Sequence, residues 1–393
     1  MSKVKIGVIG LGNMGSSHCN SIVSGKISNL ELTAVCDNAD EKKEWAAQKL
    51  TGIPFFSDYK ELIKSGLVDA VLIATPHYIH PDIAIFAFEN GLHVLTEKPA
   101  GVFTKQVEEM NAAPKKSGRV FSIMFQQRTE PIYAKVHEMV KSGLIGDLKR
   151  FVWLITNWYR TQAYYDSGTW RATWAGEGGG VLINQCPHNL DLWQWITGMP
   201  AKIRGYCSYG KYHNIEVEDD VTVSCEYANG ATGVFITTTG ECCGTNRMEI
   251  VGDKGKLVVE DGKIKFWEFA MSVKEHCFTA TQGFEQVGVE YKEVPVENAE
   301  FGHNTILQNF TNSILNGEDL IAPGYEGING LTISNAIHLS DWTGETVELP
   351  IDADKYWRLL GEKIKGSAIK KAEVKSEIAD LAGSYNTRWD VKW

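Results

Sequence analysis

Apolar residues in the first third of the chain fall into short runs of strand length. Lys3 to Ile9, Leu30 to Cys36, Pro54 to Phe56 and Ala70 to Ala74 are such runs, and another lies within Gly91 to Pro99. Stretches of helical character separate them: one starting near Met14, then Asp40 to Leu50, Asp58 to Lys64 and Asp82 to Asn90. Strands and helices alternating at this spacing predict a parallel, doubly wound sheet.

Further along, the period changes. Val221, Val223, Cys225 and Tyr227 alternate with Thr222, Ser224 and Glu226, as in a half-buried strand. Strand-like segments at Phe151 to Trp158, Val234 to Thr238, Met248 to Val251, Leu257 to Val259 and Lys263 to Phe269 are punctuated by Asn229-Gly230 and Asp261-Gly262 turns. They predict a mainly antiparallel sheet. Helices are expected over Leu182 to Ile196, ended by Gly198 and Pro200, and over His303 to Leu315, Glu326 to His338 and Asp352 to Ile364. Charged, helix-forming residues continue to Asp380. The two tryptophans of Trp389-Asp390-Val391-Lys392-Trp393 predict a tail docked on this or a neighbouring subunit. The expected organisation is an α/β domain over residues 1–125 and an α+β domain with a large open sheet over residues 126–393. A length of 393 residues at 43% hydrophobic content suits two such units.

The first strand runs straight into Gly10-Leu11-Gly12-Asn13-Met14-Gly15. G-x-G-x-x-G between a strand and a helix is the dinucleotide-binding fingerprint of a Rossmann domain. Gly10 permits the tight turn, Gly12 lets backbone approach a pyrophosphate, and Gly15 lets helix pack against strand. Asn13 and Met14 open the helix, whose N-terminus offers N–H groups and partial positive charge to phosphates. Asp37 ends the second strand, where an acid accepts from the ribose 2′-OH and repels a 2′-phosphate. Asn38-Ala39 supplies no arginine, so NAD is favoured over NADP.

Ligands of open parallel sheets bind at the carboxyl ends of the strands. Thr75 and Pro76, with His77 and His80, form one such loop and are expected to face the cofactor. The two histidines act through capping and loop hydrogen bonds, and His93 reads as a satisfied core residue. Glu97-Lys98-Pro99 forms the next loop. A lysine there, its pKa moved by burial or charge, is a candidate proton donor or hydroxyl polariser. Lys98-Pro99 is a candidate cis peptide.

The formal charge of −10, without a basic stripe, argues against nucleic acid and an anionic membrane as partners. An apolar leader and an 18-residue apolar run are both missing from the pattern, so a cytoplasmic protein acting on a small molecule is expected. The eight cysteines are scattered without a C-x-x-C pair, which suggests buried, reduced packing residues and no metal site.

Positions 184, 188, 191 and 195 share one face of the expected helix after Gly178-Gly179-Gly180. His188 is a natural proton carrier near neutral pH, and alcohol oxidation requires removal of a hydroxyl proton. Asp191 could orient its ring or tie down the helix. Between sheet and triplet lies an insert, Trp158 to Arg171, rich in aromatic and arginine side chains. Flat rings beside planar donors suit a pyranose, and Tyr159, Arg160, Tyr164, Trp170 and Arg171 are candidate substrate contacts, with Arg128 near the domain seam.

The glycine loop, Ala74-Thr75-Pro76 and above all Glu97-Lys98-Pro99 resemble the GFO/IDH/MocA oxidoreductases, and the likeness spans nearly the whole chain. The resemblance implies a nicotinamide-dependent enzyme acting on sugars, inositols or related polyols, with Glu97, Lys98 and Gln126 near the cofactor. It also implies an oligomer, dimer or tetramer, joined through the open sheet. Its second signature lies at Gly178 to Asp191, where His188 and Asp191 match but Asn184 stands in place of the usual Asp. Asn184, unable to accept a proton, is then expected to bind substrate hydroxyls or Lys98, leaving Lys98 and His188 to handle the proton. The aromatic insert and Asn184-Gln185-Cys186-Pro187-His188 are most similar to glycoside 3-oxidising members. Oxidation at C3 of a hexopyranoside is the favoured reaction. The alternatives are an inositol dehydrogenase, an NAD-dependent redox-assisted glycosidase and a non-catalytic NAD-bound sensor.

Overall fold

The computed structural model describes residues 3–168 and 170–367. The charged stretch ending at Asp380 and the tryptophan tail lie outside the described residues.

The strands β1 (Val4–Ile9), β2 (Leu30–Cys36), β3 (Phe55–Phe56), β4 (Ala70–Ile73), β5 (His93–Thr96) and β6 (Phe121–Ile123) form a six-stranded sheet among the described residues. Its order is β3-β2-β1-β4-β5-β6 and its pairs are parallel. The order reverses beside β1, which places the loops after β1, β4 and β5 next to one another at the carboxyl edge. Helices cover both faces, so Ile6, Val8, Val71, Leu72, Val94 and Leu95 are buried, as the unbroken apolar runs required.

The second sheet has nine strands among the described residues: β7 (Leu148–Ile155), β8 (Lys202–Tyr209), β9 (Glu218–Glu226), β10 (Thr232–Thr238), β11 (Asn246–Gly252), β12 (Gly255–Glu260), β13 (Lys263–Phe269), β14 (Val289–Val294) and β15 (Val347–Glu348). Their order is β14-β13-β12-β11-β7-β10-β9-β8-β15. The sheet is mainly antiparallel, but β7 and β10 run parallel, with Val152 opposite Val234. Period-two alternation is the same for both pairings, so it carries no sign of this pair. One face holds Phe151, Trp153, Val223, Phe235, Ile250 and Phe266 and is covered by the helix Pro187–Thr197 through Leu190, Trp193 and Ile196. The opposite face carries Val152, Leu154, Val234 and Ile236, none of them fully buried.

That helix begins at Pro187, not at Leu182. Proline serves well at the first helical position and disfavours helical backbone in the residue before it, so residues 181–186 turn instead. Asn184 therefore does not share a helical face with His188.

The helix His303–Asn316 lies in the segment assigned from sequence to the second domain, yet Ile306, Leu307 and Phe310 join the core of the first sheet. Ala322 accepts from the amide of Ile123 and the hydroxyl of Ser122. All eight cysteines are free thiols. Cys19, Cys36, Cys186 and Cys225 are buried as expected, whereas Cys242, Cys243 and Cys277 are exposed. Among the described residues no helix is long and apolar enough to cross a membrane, and no group of three or more His, Cys, Asp or Glu is arranged to hold a metal ion.

Candidate active site

The glycine loop is shaped by contacts no side chain could share. Gly10 has φ +92°, and a Cβ on it would lie 2.5 Å from the carbonyl oxygen of Ala74. A Cβ on Gly15 would lie 1.8 Å from the Gly10 oxygen. Above Gly12 no atom lies within 4 Å of a Cβ position, leaving room for a phosphate against the backbone. The helix Asn13–Val23 starts here without a side-chain cap, with Asn13 exposed and Met14 partly so. Asp37 accepts from the amides of Leu11 at 2.7 Å and Ala39 at 3.0 Å, so the ribose-binding candidate also buttresses the glycine turn. These residues fit a dinucleotide: an open backbone cradle, a free helix start and an acid at the end of β2.

Thr75 and Pro76 sit at the adjoining edge, Thr75 half-buried and Pro76 exposed. His80 is engaged by the backbone on both ring nitrogens. It is fully buried, with Nδ1 2.9 Å from the carbonyl of Pro99 and Nε2 2.7 Å from that of Thr75, and so ties two strand-end loops together. His77 is buried too, its ring edge-on to Trp170. His93 accepts from the amide of Val120 at 2.9 Å.

Glu97 likewise faces inward. Its carboxylate meets Nε2 of His18 at 2.7 Å, both side chains being buried, and so makes a buried pair. Burial pushes its pKa up, but the His18 hydrogen bond and charge, with His303 and Lys98 nearby, outweigh that and bring it to about 2. The next residue points the other way. The Lys98-Pro99 bond is cis, and Lys98 donates from Nζ to the backbone carbonyl of Asn184 at 2.8 Å. Burial depresses the Lys98 pKa, while Glu97 and Glu177 oppose the fall.

Around Asn184 the insert closes in. Its Oδ1 is 3.4 Å from the hydroxyl of Tyr164, and its Nδ2 makes a very short hydrogen bond to Glu177. The Tyr164 hydroxyl also accepts from Nη1 of Arg171 at 2.8 Å and from Gln185 at 3.3 Å. The guanidinium groups of Arg160 and Arg171 stack on the Tyr164 ring at 5.2 and 4.6 Å, and Arg171 also lies 4.8 Å from Trp170. Tyr159 is half exposed, its backbone carbonyl accepting from Arg160. The glycine triplet is fixed beneath: the Glu218 carboxylate, fully buried, accepts from the amides of Gly180 and Leu182, and a Cβ on Gly180 would lie 2.0 Å from the backbone carbonyl oxygen of Glu218.

His188 is buried, with Nε2 3.2 Å from the Gln126 amide nitrogen and its ring beside Phe125. Burial, reinforced by Lys98 and His303, holds its pKa well below 6.5, so the ring is neutral near pH 7. Asp191 does not orient it. That carboxylate is held by both arms of Arg128, at 2.7 and 2.6 Å, and by Gln194. Arg128, 2% exposed, also binds Glu326 at 2.6 Å and the carbonyl of Ile321 at 3.3 Å, and so ties the seam together.

Lys98, Asn184, Tyr164, Trp170 and Arg171 are thus brought into one contact network, with His188 and Gln126 as a neighbouring pair. Glu177, His18, Gln185 and Glu218 were not singled out from sequence. Glu177 alone left a signal, a lone acid directly ahead of a glycine triplet.

The NAD-binding Rossmann domain of the oxidoreductase family GFO/IDH/MocA matches residues 4–125, and the family's C-terminal domain matches residues 133–258. The chain belongs to the GFO/IDH/MocA family. It is an NAD-dependent oxidoreductase of the kind that acts on sugar and polyol hydroxyls. It is 26% identical over 365 residues to scyllo-inositol 2-dehydrogenase (NAD(+)) of Bacillus subtilis (strain 168), covering 89% of this chain and 97% of that one. It is 24% identical over 374 residues to D-glucoside 3-dehydrogenase of Escherichia coli (strain K12), covering 88% and 98%. The structure of the WlbA dehydrogenase from Bordetella pertussis, in complex with NADH and UDP-GlcNAcA, superposes with a TM-score of 0.75 at 26% identity, covering 89% of this chain and all of that one.

Proposed function

We propose that this protein oxidises a secondary hydroxyl of a sugar or glycoside, with C3 of a hexopyranoside as the favoured position, and passes the hydride to NAD. The observation that carries the reading is the Lys98 ammonium held at 2.8 Å on the Asn184 carbonyl, beside a wall of Tyr164, Trp170 and Arg171. Bound nicotinamide supplies the hydride acceptor. Lys98 donates to the substrate oxygen and stabilises the charge that grows on it as the proton leaves. His188, neutral and buried, takes that proton on a ring nitrogen, with Gln126 setting the ring's orientation. Asn184 contributes chiefly through its backbone carbonyl, which aims Lys98. Tyr164, Trp170 and Arg171 present ring faces and planar donors to the sugar. A D-glucoside 3-dehydrogenase among the relatives supports the choice of C3.

An inositol is the second reading, supported by the scyllo-inositol 2-dehydrogenase that matches over almost its whole length. Incubation of the purified protein with NAD and a panel of free sugars, inositols and alkyl glycosides decides between them. The expected result is NADH together with a keto-glycoside. Turnover of inositols alone moves the assignment to the second reading, and net glycoside hydrolysis without NADH contradicts both.

A further inference from the structure

Position 184 carries an amide, yet the site does not lack a carboxylate beside it. Glu177 lies directly ahead of the glycine triplet and is 1% exposed. Its Oε2 accepts from the amide of Ala172 at 2.6 Å, its Oε1 accepts from Nδ2 of Asn184, and Nη1 of Arg171 is 3.8 Å from Oε1. An ionised carboxylate only accepts, so it forces Asn184 to present its NH2 and turns Oδ1 toward the Tyr164 hydroxyl. The Asn184 backbone carbonyl meanwhile holds the Lys98 ammonium. One buried charge therefore fixes the flip of the amide and stands one residue removed from the lysine.

We propose that Glu177 is the positioning carboxylate of this site, orienting Asn184 and supplying from the preceding loop the negative charge that keeps Lys98 a proton donor. Glu97 also holds the Lys98 pKa up, but it is Glu177 that bonds the Asn184 amide. The Glu97 carboxylate is already bonded to His18, and Arg160, Arg171, His77, His80, His188 and His303 are neutral or cationic. Without Glu177 the ammonium would keep Glu97 as a countercharge but lose one of two against Arg160 and Arg171, which favours loss of its proton.

The role presumes the proton-handling site proposed above, but its test reads Lys98 directly and needs no substrate. Competitive acetylation across a pH series, with peptide mass spectrometry, gives the titration midpoint of Lys98 in the intact protein. Glu177→Gln keeps the size and an acceptor for the Ala172 amide, and the Asn184 amide can flip to meet the new NH2. In this variant the midpoint is expected to fall by about one pH unit. Adding Asn184→Asp to it returns a carboxylate beside Lys98 and is expected to restore the midpoint. Glu177→Asp, which keeps the charge, holds it near the parent value. An unchanged midpoint in folded E177Q, or one that stays low in E177Q/N184D, overturns the proposal. If the parent protein oxidises no sugar or inositol, the assigned reaction fails while the Lys98 titration still decides the role of Glu177.

Discussion

At the scale of single residues, the proposed reaction rests on two side chains, Lys98 and His188, while Arg128 is bonded into the seam. Lys98→Met removes the donor aimed at the substrate oxygen and is expected to lower kcat about a hundred- to ten-thousand-fold, with NAD binding retained in a fluorescence titration. The His188 ring must be neutral to accept a proton. Burial and the charges of Lys98 and His303 hold its pKa well below 6.5, so the acid limb of the kcat/KM profile for oxidation is expected below pH 6.5. A limb above 6.5 would assign the base elsewhere. Arg128→Ala leaves Asp191 and Glu326 without their shared partner inside the seam. It is expected to cost about 3–5 kcal/mol, seen as a large drop in thermal midpoint, whereas a substrate-binding arginine would raise KM at little cost in stability. The positions of Lys98 and His188, at a strand end and at a triplet-to-helix junction, were legible because glycine, proline and the end of an apolar run mark such places in the sequence. The engagement of Arg128 with Asp191 was not legible, since an arginine and an aspartate 63 residues apart leave no periodic trace of a pair.

At the scale of elements, the glycine loop and the strand order follow from local rules. Gly10 must adopt φ +92° against Ala74, and only glycine does so freely. Buried strands read as apolar runs, which made the first sheet legible nearly strand by strand. The helix expected from Leu182 starts instead at Pro187, where the proline suits the first helical position and keeps the residue before it out of the helix, so the expected i, i+4 pairing of Asn184 with His188 does not form. The His18–Glu97 pair was hidden, since His18 lies on an otherwise ordinary helix. The Glu97 pKa drops from 4.5 to about 2 on folding. A depressed carboxylate pKa stabilises above 4.5, and that contribution is lost as pH falls toward 2. The size is about 3 kcal/mol. Glu97→Gln is therefore expected to lower stability by that amount at neutral pH and to flatten its decline below pH 4.5, as followed by denaturation at a series of pH values. An unchanged pH dependence would remove His18 as the partner that matters.

At the scale of the whole molecule, the chain crosses from one sheet to the other and returns, with His303–Asn316 closing the first core. The sequence showed the helix by its amphipathic period, but not which core it joins. The outer face of the second sheet pairs Val152 with Val234 and Leu154 with Ile236, an apolar strip among polar neighbours. We propose that two copies meet there. The 43.7 kDa chain is expected to elute as an oligomer by light scattering, and Val152→Glu with Ile236→Glu to dissociate it. A monomeric parent protein would refute the interface.

The central claim is direct transfer of hydride from a sugar carbon to NAD, and isotope tracing tests it most closely. The protein is incubated with NAD and an alkyl glucoside carrying deuterium at C3, and the NADH formed is analysed by mass spectrometry. Deuterium on the nicotinamide, with a keto-glycoside as the other product, is the predicted result. Unlabelled NADH, or deuterium released to water while the glycosidic bond breaks, would contradict it.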